Sequence, residues 1–284
     1  MRIDESQIIE KLKYYFSTRK DVAFAFLFGS TVKGNAGQDS DLDIAVYFYP
    51  HGEGFDIEED VSFKEEDEIW RDLERITGEE VDLVVLNRAA SAIAAAVYLE
   101  GTPIIISNYS LYWKHFLTVT DLAEEYRQFI KDYIAIKSRS LSLSAIDKNR
   151  LTGILDFIET EIKDISSFKD INRKKYLEES AFRRNVERWI ENLVNASIDI
   201  AKIIVASRKQ PVPQTYREIL LRLGIVPGFN EDTALKLSSF SKLRNILAHE
   251  YLDIKYPHIA GFVNKAPAVY KDLISSVKYF LNGQ

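Results

Sequence analysis

The spacing of apolar residues changes character near residue 110 of the chain. Before that point, short apolar or alternating runs typical of β-strands are interleaved with helical patterns. Prolines and glycines mark the ends of these runs. The predicted strands cover residues 22–28, 41–49, 81–86 and, as a short last strand, 103–106, and the predicted helices cover residues 8–16, 70–76 and 89–99. This order predicts an α+β domain with a mixed sheet and flanking helices.

After residue 110 the strand pattern stops, and apolar residues recur at steps of three and four. Breaks are expected at Pro211, Pro213, Gly224, Pro227-Gly228 and Pro257. The predicted helices cover residues 119–142, 147–167, 174–207, 214–223, 231–251 and 257–281. We therefore expect residues 1–110 to form the first domain, residues 111–145 a connecting helix, and residues 146–284 an all-α bundle.

Composition narrows the class of protein. The chain has 284 residues, enough for two cores, and no cysteine, which excludes disulfides, cysteine-bound zinc and thiol chemistry. Its first residues lack the apolar core of a signal peptide, and no apolar run is long enough to span a bilayer. We expect a cytoplasmic protein with no membrane partner.

The net charge of -6 is divided unequally. Residues 1–110 hold 10 Lys and Arg against 22 Asp and Glu, and residues 111–284 hold 27 against 21. A basic second half suits an anionic partner such as RNA, although two ordinary solvated surfaces would give the same numbers.

Three aspartates in the first domain suggest metal chemistry. Asp41 and Asp43 alternate along a predicted strand, so both carboxylates point to one face. Asp82 lies in the next predicted strand among apolar neighbours, where a charge usually needs a partner. Carboxylate oxygens suit Mg²⁺, and two such ions can flank an in-line phosphoryl displacement, with Asp82 as ligand or base.

A turn before these aspartates could hold phosphates. Gly29 permits a close backbone approach, and the Ser30 hydroxyl can hydrogen-bond to a triphosphate. Lys33 could assist, although a solvated loop lysine is the simpler interpretation. The segment is not a P-loop, because Asn35 stands where the lysine of that motif belongs. An Asp-x-Asp alone would favour plain strand-edge solvation, but the whole combination favours a site.

These residues carry a resemblance. Gly29-Ser30, ten residues and then Asp41-Leu42-Asp43 resembles the minimal nucleotidyltransferases of the polymerase-beta superfamily, over roughly residues 5–107. The resemblance implies that Asp41, Asp43 and Asp82 are catalytic carboxylates binding two Mg²⁺ ions. It also implies that Gly29 and Ser30 bind the phosphates of a nucleotide such as ATP.

A second constellation lies near the end of the chain. On a predicted helix, Asn245 and His249 are four residues apart and therefore share a face. Arg244 and Tyr251 are seven residues apart and share another face. Arg244 and His249 are about 140° apart around the helix, so we expect a complete site to need residues from a second copy of the helix. Histidine can move the 2′-OH proton and arginine can stabilise the phosphorane in metal-free RNA cleavage.

The pattern Arg-x4-His-x-Tyr at Arg244, His249 and Tyr251 resembles the HEPN ribonucleases, and HepT toxins in particular. The likeness extends over about residues 145–284, including Asp199-Ile200-Ala201 and Pro213-Gln214-Thr215-Tyr216. It implies a homodimer formed through the helical domain, an RNA substrate, and a supporting role for Asn245.

The two resemblances together imply regulation. HepT toxins are paired with MntA antitoxins, which are minimal nucleotidyltransferases that transfer AMP from ATP to the motif tyrosine, here Tyr251. The chain is similar to both partners fused. AMP at Tyr251 would bring negative charge near Arg244 and His249, where it would compete with RNA phosphate.

Two other functions stay open at this stage. In a small-molecule transferase of the aminoglycoside-modifying type, the helical half would only close over a substrate. In a non-catalytic module, the helical half would only dimerise or bind RNA.

Some other polar and aromatic residues are expected to have no role in either site. The expected structural or exposed histidines are His51, His115 and His258. A solvated face is expected for Arg183, Arg184 and Arg188, and a core position for Trp113 and Trp189.

Overall fold

The structure is a computed structural model that describes residues 5–29, 41–52, 54–139, 141–249 and 252–283. Side chains at positions 5, 6, 248, 249 and 252–254 lie outside this description. The chain divides into two compact units, residues 1–126 and 127–284. This division lies inside the predicted connecting segment, while the outer bounds of that segment remain a prediction.

The first unit alternates helices and strands as predicted. It contains α1 (Glu5–Thr18), β1 (Val22–Phe28), β2 (Leu42–Phe48), α2 (Glu66–Thr77), β3 (Val81–Val85), α3 (Ser91–Glu100) and β4 (Thr102–Ile106), followed by the first part of α4 (Tyr109–Arg139). The sheet is mixed, with strand order β3-β2-β1-β4. β1 is antiparallel to both β2 and β4, whereas β2 and β3 are parallel.

Both faces of this sheet are covered, which explains why β1 is apolar throughout. On one face, Leu42, Ile44 and Val46 pack in a cluster with residues of α1 and α2. On the other face, Ala45 and Tyr47 pack with residues of α3 and α4. The alternation along β2 thus assigns each residue to a face, and Asp43 belongs to the face of Ala45 and Tyr47.

The second unit is helical. It contains the rest of α4, α5 (Ala145–Glu161), α6 (Arg173–Glu178), α7 (Ser180–Ser207), α8 (Tyr216–Leu221), α9 (Glu231–His249) and α10 (Leu252–Asn282), with 3₁₀ turns at Ile162–Phe168 and Arg222–Ile225. Residues 200–206 of α7 are buried on all sides, so this helix is the centre of the core. The fold class predicted from the sequence is confirmed.

Several boundaries differ from the prediction. The helix expected over 174–207 is two helices, α6 and α7, which meet at Glu179. Pro257 is the first residue of the last predicted helix but lies inside α10, which begins at Leu252. A proline there removes one backbone hydrogen bond, and burial of Ile259, Phe262 and Val263 just beyond it offsets that loss.

The prediction that Trp113 and Trp189 lie in the core is confirmed for one residue and wrong for the other. Trp189 is buried, but Trp113 is 52% exposed. The pattern along α4 did not separate the face that carries Trp113 from the buried face that carries Tyr112 and Val119. Within the described ranges, no helix combines the length and apolar character needed to span a bilayer.

Candidate functional site

The first candidate site lies where β2 begins. Asp43 pairs with Phe28 of β1 on one side and with Asp82 of β3 on the other. Register partners on neighbouring strands point to the same face, so the side chains of Asp43 and Asp82 lie on one face of the sheet. Two carboxylates on one face of the sheet supply oxygen ligands of the kind that suit a bound cation such as Mg²⁺.

Gly29 closes this site from the end of β1. Its φ is +81°, in the left-handed region that favours glycine. A Cβ atom built on it would lie 1.8 Å from Oδ2 and 2.6 Å from Cγ of Asp43. The backbone therefore approaches the carboxylate more closely than any other residue would allow. Ser30 and Lys33, the other predicted phosphate-binding residues, lie outside the described residues.

The third predicted carboxylate, Asp41, is exposed and directly precedes β2. Leu42, between the two aspartates, donates its backbone N–H to the Glu80 carbonyl at 2.8 Å, which ties this point to the start of β3. In the described part of the chain, no three His, Cys, Asp or Glu side chains form a group that could hold a metal ion. The carboxylates of Asp41, Asp43 and Asp82 are hard oxygen donors, which fit Mg²⁺.

The expected environment of Asp82 was wrong. Its apolar neighbours in sequence suggested a buried strand, yet Asp82 is exposed. β3 is at one edge of the sheet, so among the described residues one of its sides has no neighbouring strand. Asp82 can therefore carry its charge in contact with water.

The second candidate site lies on α9. This helix carries Arg244 and Asn245, both partly exposed, and ends at His249. The side chain of His249, and Tyr251 as a whole, lie outside the described residues. The predicted face shared by Arg244 and Tyr251 is therefore not tested, because the described helix ends two residues before Tyr251.

Arg244 makes a contact that the sequence did not predict. Its guanidinium carbon lies 5.1 Å from the ring centroid of Tyr216, the first residue of α8. Tyr216 in turn meets Phe129 of α4 edge to face, with centroids 5.3 Å apart. These residues are far apart in sequence, so spacing rules within one helix could not reveal the contact.

A cluster of ion pairs lies beside Phe129. Asp132 accepts hydrogen bonds from Arg150 at 2.9 Å and forms an ion pair with Lys202 at 3.0 Å, and Lys202 also binds Asp199 at 2.7 Å. Burial alone would raise the pKa of Asp132, but these two cations outweigh it and lower the pKa to about 2. The Lys202 ammonium also lies 5.4 Å from the Phe129 ring centroid.

Family comparisons divide the chain in the same way. Residues 10–110 match the polymerase beta nucleotidyltransferase family, and residues 158–277 match the HepT-like ribonucleases. The chain joins a nucleotidyltransferase domain to a HepT-like domain. Gly29, Asp41, Asp43 and Asp82 lie in the nucleotidyltransferase domain, and Arg244, Asn245 and His249 lie in the HepT-like domain.

One curated relative is similar to part of the chain. It is the tRNA nuclease HepT of Aphanizomenon flos-aquae (strain 2012/KM1/D3), 29% identical over 100 residues, which are 35% of this chain and 68% of that protein.

Two solved structures are also similar to part of the chain. A crystal structure of a toxin-antitoxin with AMP-PNP is 20% identical, covers 47% of this chain and 97% of its own, and has a TM-score of 0.36. A crystal structure of a mutant of the toxin-antitoxin MntA-HpeT is 18% identical, with the same coverage and a TM-score of 0.37. The sequence matches, rather than these superpositions, define the two domains.

Three residues that were not assigned to either site, His115, Arg183 and Arg188, make contacts typical of structural or surface positions. His115 is buried, accepts or donates a 2.6 Å hydrogen bond with the Tyr98 hydroxyl, and has its pKa lowered to about 3 by burial. In the HepT-like domain, Arg183 donates to the carbonyls of Tyr176 and Leu177 at the end of α6. Arg188 forms an exposed pair with Glu191, as expected of a solvated face.

Proposed function

We propose that this chain is a self-regulating toxin–antitoxin fusion, in which the nucleotidyltransferase domain adds AMP from ATP to Tyr251 and thereby silences RNA cleavage by the HepT-like domain. The observation that carries the proposal is the presence of both domains in one chain. The carboxylate pair Asp43–Asp82 beside Gly29 supports the transferase half. Arg244 and His249 on α9 support the ribonuclease half.

The transfer step needs a nucleophile, a base and charge stabilisation. The phenolic oxygen of Tyr251 attacks the α-phosphorus of ATP, the bond from that phosphorus to the bridging oxygen breaks, and pyrophosphate leaves. Asp82 accepts the phenolic proton directly or through water. Asp41, Asp43 and Asp82 would hold two Mg²⁺ ions, which would neutralise charge on the phosphates and the leaving group. Gly29 keeps the backbone clear of the Asp43 carboxylate, and Ser30 and Lys33 bind the phosphates.

The cleavage step uses only protein groups. The RNA 2′-oxygen attacks the adjacent phosphorus and the bond to the 5′-oxygen breaks, which gives a cyclic phosphate and a 5′-hydroxyl. His249 moves the proton of this displacement, Arg244 stabilises the charge on the phosphorane oxygens, and Asn245 orients the histidine from the same helix face. We include a homodimer through the helical domain, because positions five residues apart, such as 244 and 249, are about 140° apart around an ideal helix.

AMP on Tyr251 would act by charge and size. It would place a phosphate two residues from His249, where it would occupy the position of the RNA phosphate and compete for Arg244. The relative's name identifies a tRNA nuclease, so tRNA is the first RNA to test.

The test compares tRNA cleavage before and after incubation with Mg-ATP. The parent chain should lose cleavage after the incubation, and Asp41→Ala/Asp43→Ala should keep it. His249→Ala should abolish cleavage in both backgrounds, which excludes a contaminating nuclease. Cleavage by the double variant that persists after His249→Ala would instead indicate a non-catalytic helical domain. If the parent chain cleaves tRNA equally well before and after incubation with Mg-ATP, a small-molecule acceptor for the transferase is favoured.

A further inference from the structure

The ring of Tyr216 is fixed before it meets Arg244. Tyr216 opens α8, and the preceding residue, Thr215, caps this helix by accepting a 3.1 Å hydrogen bond from the backbone N–H of Glu218. The edge-to-face contact with buried Phe129 sets the plane of the ring. The Tyr216 ring is therefore held in one orientation and offers a defined aromatic face.

The far side of this aromatic pair is anchored too. The Lys202 ammonium lies over Phe129 and is itself held by Asp199 and Asp132. A cation–π contact thus lies at each end of the pair, with Arg244 at one end and Lys202 at the other. Movement of the Tyr216 ring would disturb Phe129 and the ion pairs behind it.

Arginine gains from such a surface. Its side chain has many rotamers, and a phosphorane is stabilised only when the guanidinium donors already point at the charge that develops. A guanidinium that lies over an aromatic face is held by that face, while its N–H groups point outward in its own plane. Tyr216 thus restricts Arg244 through the face of the guanidinium, and this contact itself uses none of its N–H groups.

We propose that Tyr216 is a positioning residue for RNA cleavage: its ring holds the Arg244 guanidinium in the orientation that stabilises the phosphorane. This inference rests on the proposed ribonuclease function. Tyr216 itself need not touch RNA, so its effect is on the rate of the bond-breaking step and not on RNA binding. The ring, not the hydroxyl, carries the effect.

The chain offers a matched control. Arg208 lies over the ring of Phe280 at 5.3 Å, nearly the same geometry as Arg244 over Tyr216. Phe280 meets Phe229, which precedes α9, whereas Arg244 lies near the other end of that helix. Thirteen residues separate Arg244 from Glu231, about 20 Å along a helix, so Phe280→Leu removes a comparable contact away from the proposed site.

The test measures kcat and KM for tRNA cleavage in the full chain carrying Asp41→Ala/Asp43→Ala, so that no AMP is present. Tyr216→Leu should lower kcat about tenfold with KM unchanged, which corresponds to about 1.4 kcal/mol of lost transition-state stabilisation. Tyr216→Phe and Phe280→Leu should cleave as their parent does. In NMR spectra, the Nε–H proton of Arg244 should lose its ring-current shift in Tyr216→Leu and keep it in Tyr216→Phe.

Three results would overturn the inference. If Tyr216→Leu cleaves normally while Arg244→Ala is inactive, the ribonuclease assignment stands and the positioning role fails. If Tyr216→Phe is as slow as Tyr216→Leu, the hydroxyl and not the ring matters. If Arg244→Ala cleaves as fast as its parent, the ribonuclease mechanism itself fails, and the positioning role fails with it.

Discussion

Gly29 and Asp43 are in such close contact that a single added methyl group on Gly29 would lie 1.8 Å from the Asp43 carboxylate oxygen. The contact joins the end of β1 to the start of β2, because Phe28 and Asp43 are register partners. The same aspartate pairs with Asp82 on its other side. A turn, a paired strand and an edge strand thus place a backbone and two carboxylates together.

Gly29→Ala should abolish nucleotidyl transfer by displacing the carboxylate of Asp43. A displacement of about 1 Å at a reacting group can cost about 100-fold in rate. Gly78→Ala is the matched control, because Gly78 has a similar φ of +75° but has no atom within 4 Å of an added Cβ. Both variants should lose about 1–2 kcal/mol of stability from backbone strain, while only Gly29→Ala loses transfer. Equal transfer rates in the two variants would contradict the placement of Asp43 at the site.

Asp43→Asn and Asp82→Asn should each lower AMP transfer by at least about 100-fold, the scale seen when one preorganised electrostatic group is removed. Each change keeps the shape of the side chain and removes its charge, so relief of the repulsion between the two strands should leave stability unchanged or slightly higher. Asp67→Asn, an exposed position on α2, is the control. The transfer is measured as radiolabel on the protein after incubation with ATP that carries the label in its AMP part. Full activity in Asp82→Asn would remove this residue from the catalytic set.

Asp132 should make the helical unit sensitive to acid. Its pKa is about 2 in the folded chain, below the ordinary value of 3.8, so its ion pairs stabilise the fold at neutral pH and this contribution disappears as the pH falls towards 2. Asp132→Asn should cost about 1 kcal/mol at pH 7, after allowance for solvent screening, and little near pH 2. Urea unfolding of both proteins across this range measures the difference. Asp232→Asn, which breaks an exposed pair with Lys236, should have a small effect. A cost of Asp132→Asn that does not change with pH would contradict the role of these ion pairs.

The sequence predicted most of the fold because its signals are local. Alternation along the second predicted strand assigned Asp43 to one face of β2, and β1 was predicted from seven consecutive apolar residues. The shared face of Asp41 and Asp43 stays a prediction, because Asp41 precedes β2. What it could not predict depends on neighbours distant in the chain. The exposure of Asp82 follows from the edge position of β3, which is a property of sheet order. The cation–π contact between Arg244 and the Tyr216 ring depends on how α8 packs against α9.

Local signals also misplaced some helix boundaries. Pro257 reads as a helix start because proline is favoured in the first turn, yet α10 begins at Leu252. The break at Glu179 between α6 and α7 has no proline or glycine to mark it. Tertiary packing sets such boundaries.

The most direct test of the central claim is the intact mass of the chain after incubation with Mg-ATP, followed by peptide mapping. Asp41→Ala/Asp43→Ala, Tyr251→Phe and Tyr279→Phe are compared with the parent chain, and Tyr279 serves as an exposed tyrosine of the same helical unit. We predict a mass increase of whole AMP units that maps to Tyr251, persists in Tyr279→Phe and is lost in the other two variants. A parent chain that starts unmodified and gains no AMP, or gains it equally in Tyr251→Phe, would contradict the account.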